Sequence, residues 1–261
     1  MRRAGQHDRP KIRNALLILS CSTALVLVFT ETSAWSGESS PTNRVELEAD
    51  VNASTLNSYY AGFAFTLSPF ASYYESGLKF QLAASDTRYK YAADATGTVF
   101  SKGEDTEVDF LIGYGLKFQR GYLLALIGPA TIWSWQKPGN SQPSSLVIGE
   151  AAKAVASVYA KPTDQTMTFI KGSYLTSTGS YYAQAKLGVA FLSDLFIGPE
   201  LALAGRMHFA NPTAEYDQWK VGGFVSSIKF GPISLDVSAG FMHDRGLGDG
   251  GYVATTVRAA F

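Results

Sequence analysis

Residues that could carry out chemistry are few in this chain of 261 residues. Two histidines, His208 and His243, lie beyond an apolar N-terminal run, and the single cysteine, Cys21, lies inside that run. The HExxH, CxxC, GxSxG and GxxxxGK spacings are all missing, and with them the usual signatures of zinc, nucleophile and phosphate sites. The sequence therefore predicts no catalytic residue, no metal site and no cofactor.

One arrangement near the C-terminus could still support hydrolysis. His243 and Asp244 directly follow a strand-like segment whose polar face carries Ser238. A hydroxyl, an imidazole and a carboxylate that meet at one rim are the parts of a hydrolytic triad. A barrel-borne lipid or ester hydrolase is therefore an alternative to the simpler interpretation, a loop histidine that is hydrogen-bonded to its neighbour.

Charged side chains are stronger functional candidates, because they occupy the polar positions of otherwise apolar, alternating segments. Both signs occur among them, as expected if they pair with each other in a confined space, since buried charges need partners. In a closed barrel these positions would line or plug the lumen. The candidate lumen charges are Lys79, Arg88, Lys90, Glu107, Asp109, Lys117, Lys186, Glu200, Lys220, Asp236 and Arg258.

The N-terminal region has the features of a secretion signal. Five basic residues within 2–13 precede the apolar run 15–29, which is shorter than the roughly 20 residues that a membrane-spanning helix needs. Small residues follow, so we predict a signal peptide over 1–34 that is cleaved between Ala34 and Trp35. Residues 35–44 are small and polar and are predicted to form a flexible leader, with a single domain over 45–261.

The composition limits the class of this domain. Hydrophobic residues make up 46% of the chain, which excludes a disordered protein, and charged residues only 17%, against about 25% in soluble domains. The formal net charge is +0, so nothing indicates a nucleic acid partner. The only cysteine leaves with the signal peptide, so the exported domain is expected to lack disulfides.

Beyond the signal, hydrophobic residues recur with a period of two, which is typical of β-strands. In 181–191, for example, Leu187, Val189 and Phe191 alternate with Lys186, Gly188 and Ala190. Segments 57–67, 233–241 and 253–261 alternate in the same way, and no stretch after Phe29 is long and apolar enough for a helical membrane span.

Turn signals divide the chain into about twelve strands (10–12), and short connections tend to alternate with longer polar ones at 92–104, 136–144, 207–217 and 243–251. This pattern is typical of an antiparallel, up-and-down transmembrane β-barrel. The weakest strand is 146–159, whose composition also suits a short helix. The predicted strands are 45–51, 57–67, 73–90, 105–117, 121–132, 146–159, 165–175, 180–191, 195–206, 217–229, 232–242 and 251–261.

Three features favour a membrane barrel over a soluble one with its apolar face inside. The polar faces are rich in small residues with scattered charges, which suits a crowded lumen. Trp133, Trp135 and Trp219 lie near strand ends, where an aromatic girdle meets lipid headgroups. Phe261 ends the last strand on its apolar face and resembles the signal read by the outer-membrane assembly machinery. Because lipid satisfies no backbone hydrogen bond, the first strand must pair with 251–261.

The C-terminal half resembles the cellulose biosynthesis protein BcsS family. The resemblance rests on Gly179-Ser180-Tyr181-Tyr182, Ile197-Gly198-Pro199-Glu200, Trp219-Lys220-Val221-Gly222-Gly223-Phe224 and Gly250-Gly251-Tyr252. It is good over 145–261 and looser over 45–130, and Lys220 stands where an arginine is expected. It implies a role in making or exporting cellulose at the outer membrane, and it carries over no catalytic residue.

Two functions follow from these observations. The first is a non-catalytic conduit or scaffold that assists secretion or anchoring of cellulose, with the synthase and export machinery as partners and the rim tryptophans as stacking surfaces for sugars. The second is a general porin-like channel. A bacterial outer-membrane location is expected for either function.

Overall fold

The computed structural model describes residues 43–92, 100–137, 145–192, 194–206 and 216–261. These belong to one compact unit, Thr42–Phe261. The predicted signal peptide, the cleavage site between Ala34 and Trp35, and most of the leader lie outside the described residues. Within the described part of the chain, no helix is long and apolar enough to cross a membrane.

The described residues form twelve antiparallel strands that close into one barrel, each strand pairing with its neighbours in the chain and β12 pairing back to β1. This confirms the predicted fold, including the pairing of the first strand with the last. The strands are β1 (Val45–Ser54), β2 (Tyr59–Leu67), β3 (Gly77–Ala92), β4 (Phe100–Phe118), β5 (Gly121–Lys137), β6 (Ser145–Thr163), β7 (Thr166–Leu175), β8 (Ser180–Leu192), β9 (Leu195–Arg206), β10 (Tyr216–Phe230), β11 (Ile233–Asp244) and β12 (Gly248–Ala260).

The barrel is apolar outside and polar inside, which is the inverse of a water-soluble protein. Leu187 and Phe191 on β8 are 58% and 66% exposed, whereas Lys186 on the same strand is 5% exposed. Side chains of successive strand residues point to opposite faces, so one alternating sequence supplies both surfaces. An exposed apolar band over charged, buried inner positions is the arrangement expected of a transmembrane barrel.

The two ends of the barrel differ in their connections. At the turn end, pairs of residues (119–120, 164–165, 193–194 and 231–232) join successive strands. The opposite loop end carries the connections 93–99, 138–144 and 207–215, which lie outside the described residues. The segment 243–251, predicted as a long connection, is mostly strand, because β11 runs to Asp244 and β12 begins at Gly248.

Two strand predictions need comment. The weakest one, 146–159, is a strand throughout, because β6 is held by backbone pairing to both β5 and β7, and these pairings outweigh its helical composition. The strand predicted to begin at residue 73 begins at Gly77 instead. Residues 68–76 form the one long connection at the turn end, and they fold against the barrel opening.

Candidate functional site: the barrel lumen

The lumen is a charged cavity of about 1720 Å³. Acidic side chains are concentrated on two strands, with Glu46, Glu48 and Asp50 on β1 and Asp105, Glu107 and Asp109 on β4. Basic side chains face them from the other part of the wall, from Lys153 on β6, Lys171 on β7, Lys186 on β8, Arg206 on β9, Lys220 on β10 and Arg258 on β12. Two further acids, Glu200 on β9 and Asp236 on β11, lie among the basic side chains, so the two signs are only partly separated around the wall.

The first contact between the two walls is an ion pair that crosses the lumen. The Lys171 ammonium lies 2.7 Å from a Glu48 carboxylate oxygen. Their strands, β7 and β1, are six positions apart in a ring of twelve and therefore face each other across the barrel. Arg258 extends this bridge, because its guanidinium lies 2.7 Å from both Glu48 and Asp236.

A second bridge lies nearer the loop end. The Arg206 guanidinium on β9 forms an ion pair with Asp105 on β4, five strands away around the ring. Tyr89 also donates a hydrogen bond to Asp105, and its ring lies 5.6 Å from the Arg206 guanidinium. Two ion pairs therefore cross the lumen at different depths. We call Lys171–Glu48 the lower chord and Arg206–Asp105, nearer the loop end, the upper chord.

Further ion pairs connect side chains of different strands elsewhere on the wall. Lys153 lies 2.5 Å from Glu107 and 2.6 Å from Asp109, and Lys186 lies 3.3 Å from Glu200. Tyr252 donates a hydrogen bond of 3.1 Å to Glu200. Removing one partner of a buried pair leaves an uncompensated charge, at a cost of about 3–5 kcal/mol, so this network holds the wall positions in place.

The connection 68–76, which we call the closing segment, is bound to the turn end by a buried lysine. Lys79 is 0% exposed and donates hydrogen bonds to the Ser68 hydroxyl (2.7 Å) and to the carbonyls of Ser72 (3.2 Å) and Glu75 (3.1 Å). Its ammonium also lies 5.5 Å from the Tyr73 ring. A single side chain from the wall thus holds three points of the segment.

Aromatic packing also holds the closing segment against the wall. Tyr73 packs edge-on against Tyr74 and at a tilt against Tyr122 of the wall, and Tyr74 donates a hydrogen bond of 2.8 Å to Glu46. Burial raises the pKa of both Tyr73 and Tyr74, and the nearby Glu46 carboxylate raises each further. Both phenols therefore remain protonated donors across the physiological range.

Several lumenal tyrosines lie flat against the wall over glycines. A Cβ atom added to Gly62 would lie 2.3 Å from the Tyr60 hydroxyl, and one added to Gly103 would lie 2.5 Å from the Tyr89 ring. Tyr252 covers Gly222 in the same way. Tyr60 and Tyr89 line the cavity, whereas Tyr252 is buried, with the Lys220 ammonium 5.4 Å from its ring.

The predicted rim tryptophans lie on the outer surface. Trp133, Trp135 and Trp219 have the outward parity of β5 and β10, and Trp135 and Trp219 are about 40% exposed. Trp219 stacks on His243 with ring centroids 5.6 Å apart. These positions suit a girdle at the lipid boundary, and they place no tryptophan where it could stack on a sugar inside the lumen.

The hydrolase candidate does not assemble. Ser238 is 4% exposed on the inward face of β11, whereas His243 lies on the outward face, paired with Asp249 at 2.7 Å. An odd separation along one strand puts the two side chains on opposite sides of the wall. Among the described residues, no group of three or more His, Cys, Asp or Glu side chains could hold a metal ion.

Most of the predicted lumen charges lie inside the barrel. Lys117 has inward parity but lies at the turn end, half exposed and 2.5 Å from Glu75 of the closing segment. Arg88 and Lys90 have outward parity instead, and Arg88 pairs with Asp86 and Glu104 on the outer surface. The charges found inside are Lys79, Glu107, Asp109, Lys186, Glu200, Lys220, Asp236 and Arg258.

Sequence reasoning missed the residues that cross the lumen. The acidic wall of β1 was visible as the alternating Glu46, Glu48 and Asp50. Lys171 and Arg206 gave no comparable signal, because each is a single charge whose partner is more than 100 residues away in the chain. Only the order of the strands around the ring brings such residues together.

The fold and the polarity of its two faces define an outer-membrane-type β-barrel. Solved structures with a similar arrangement include the transport unit of the autotransporter AIDA-I from Escherichia coli, with a TM-score of 0.49, 9% identity and coverage of 92% of this chain and 98% of that one. The translocator domain of autotransporter NalP from Neisseria meningitidis has a TM-score of 0.44 and 9% identity, with coverage of 95% of this chain and 98% of that one. The KdgM porin in complex with disordered oligogalacturonate has a TM-score of 0.40 and 12% identity, with coverage of 83% of this chain and 99% of that one.

The family is shown by sequence. The family model described as cellulose biosynthesis protein BcsS matches residues 49–261, which is nearly the whole barrel. The chain belongs to the cellulose biosynthesis protein BcsS family, as its resemblance over 145–261 predicts. No curated protein matches it in sequence.

Proposed function

We propose that this protein is an outer-membrane barrel that supports cellulose production without catalysing a reaction, as a scaffold or anchor for the polymer. Its family is one of cellulose biosynthesis. The observation that favours a scaffold, rather than an open pore, is the Lys171–Glu48 ion pair across the lumen. A polymer that travels the full length of the barrel would have to pass both this pair and the closing segment.

The proposed orientation follows from the two ends. Short turns face the periplasm in bacterial outer-membrane barrels, and longer connections face outside. The closing segment then faces the periplasm, towards the proposed cellulose synthesis and export partners, and the loop end faces the cell exterior. Signal cleavage after Ala34 and recognition of Phe261 by the assembly machinery belong to the same proposal.

Conductance tests the scaffold directly. We expect the purified barrel in planar bilayers to conduct poorly, and the double variant K171M/R206M to conduct more, because both chords of charge are lost. The control is K229M, which removes an exposed lysine that pairs with Asp194 at the turn end. A large, steady conductance in the unmodified barrel would contradict a scaffold with a crossed lumen.

The cellular test is a deletion strain. The proposal expects loss of cellulose from the cell surface with unchanged uptake of small solutes, restored by the unmodified gene. Impaired solute uptake with normal cellulose would instead support the second candidate, a porin-like channel. That candidate is favoured by the cavity of about 1720 Å³, since a barrel of twelve strands lies between filled eight-stranded barrels and wide porins.

A further inference from the structure

A layer of the lumen between the two charged chords has the composition of a sugar site. On β8, Tyr182 lies between Ser180, which is paired with Arg206, and Gln184, which is paired with Lys171. Lys171 and Arg206 each supply one end of a chord. Tyr182 is therefore placed by register between the upper and the lower chord.

Tyr60 faces this layer from the opposite wall, because β2 and β8 are six strands apart in the ring. It is 37% exposed inside the lumen, with its ring against Gly62. Tyr60 and Tyr182 both lie within electrostatic range of Lys171 and of each other. Two aromatic rings thus approach the same space from opposite sides.

Neutral hydrogen-bonding groups lie beside these rings, among the charged groups of the two chords. Asn52 and Thr87 are the register neighbours of Tyr60 on the two adjacent strands, and both line the cavity with Gln184. Apolar ring faces surrounded by amides and hydroxyls match the surface of a pyranose, which has apolar faces and hydroxyls at its edge. Pockets of this kind orient a ligand with a few placed polar groups on an otherwise apolar wall.

The pairing of the basic groups in the lumen favours a neutral glycan over an acidic one. The basic chord groups are already paired, Lys171 with Glu48 and Arg206 with Asp105. An acidic polysaccharide would have to compete with these carboxylates for the paired cations. A neutral chain meets no such barrier.

We propose that the layer of the lumen between the two chords binds the end of a neutral β-glucan chain, with Tyr60 and Tyr182 stacked on its sugar rings. The inference rests on the proposed function and names the ligand that the scaffold holds. The Lys171–Glu48 bridge crosses the lumen on the turn-end side of the two rings, so we expect the chain to enter from the loop end and its tip to rest against the bridge. Affinity should therefore rise with chain length only until the space between the loop end and the bridge is full.

The experiment is calorimetric titration of the full barrel in detergent with cellobiose, cellotetraose and cellohexaose. We expect binding that strengthens with length and then levels off, and weakening of roughly two- to tenfold in each of Y60A and Y182A, the range given by one aromatic contact. The variants Y60F and Y182F keep the ring and should bind normally. Y181A, on the outward face beside Tyr182, is the matched control, and heat-modifiable gel mobility confirms that each variant is folded.

Three results would overturn the site: no binding of cellohexaose, equal weakening by Y181A, or tighter binding of an oligogalacturonate of the same length. Such a failure is distinguishable from failure of the proposed function. If cellohexaose does not bind but the deletion strain loses surface cellulose, the scaffold stands and the site is wrong. If cellohexaose binds but deletion leaves cellulose unchanged, the site stands and the scaffold role is wrong.

Discussion

Replacing Lys79 with methionine should release the closing segment while leaving the barrel intact. The substitution keeps the length of the side chain and removes its three hydrogen bonds to Ser68, Ser72 and Glu75. Backbone pairing between β2, β3 and β4 does not involve the ammonium, so the wall should still close.

The magnitude follows from two opposing terms. Hydrogen bonds to a charged group contribute about 1.5–3 kcal/mol each, whereas keeping an ammonium buried costs several kcal/mol. Methionine removes both terms and leaves the Ser68 hydroxyl and two carbonyls without their donor. We expect a net loss of about 2–4 kcal/mol in the free energy that holds the segment, and opening that is roughly 30- to 700-fold more frequent.

Hydrogen exchange measured by mass spectrometry on peptides covering 68–76 is the assay, because local opening sets the exchange rate there. The matched control is K117M, which removes an exposed lysine of β4 that pairs with Glu75 of the same segment at 2.5 Å. An exposed pair is worth at most about 1 kcal/mol, so K117M should change exchange little. Unchanged exchange in K79M, or an equal change in K117M, would refute the role given to Lys79.

Other predictions concern the wall and its surface. Gly222→Ala should impair folding and Gly223→Ala should not, as judged by heat-modifiable mobility, because a Cβ at Gly222 would lie 2.3 Å from a backbone oxygen whereas at Gly223 the nearest atom is 3.7 Å away. Alanine at the three rim tryptophans, Trp219 among them, should lower the melting temperature in lipid and leave cellohexaose binding unchanged. A hydrogen bond from Lys229 lowers the pKa of Asp194. Any gain in the free energy of unfolding relative to D194N should therefore be present at pH 7 and decline below about pH 4, as Asp194 protonates. A gain over D194N that grows with acidity would contradict this sign.

The alternation of the sequence was enough to predict the wall, because a period of two fixes both the strand and the face of each residue. Lys186 beside Leu187 shows this, since one is buried inside and the other exposed outside. Tyr73 shows where such reasoning stops. Its local pattern suits a strand, but the hydrogen bonds of Lys79 to the surrounding segment keep it out of the sheet. Contacts made around the ring or across it depend on strand order and register, which no local pattern contains.

The position of the lower chord decides between holding a polymer and passing it. If a glucan displaced the Lys171–Glu48 pair on its way through the barrel, Glu48 would also have to leave Arg258. Breaking one buried pair costs about 3–5 kcal/mol, and a neutral chain offers no charge in return. A chain end that rests on the chord leaves every ion pair intact and still gains its contacts with the tyrosines above. Under the proposed function, the lower chord therefore favours holding a chain end over passing the whole chain.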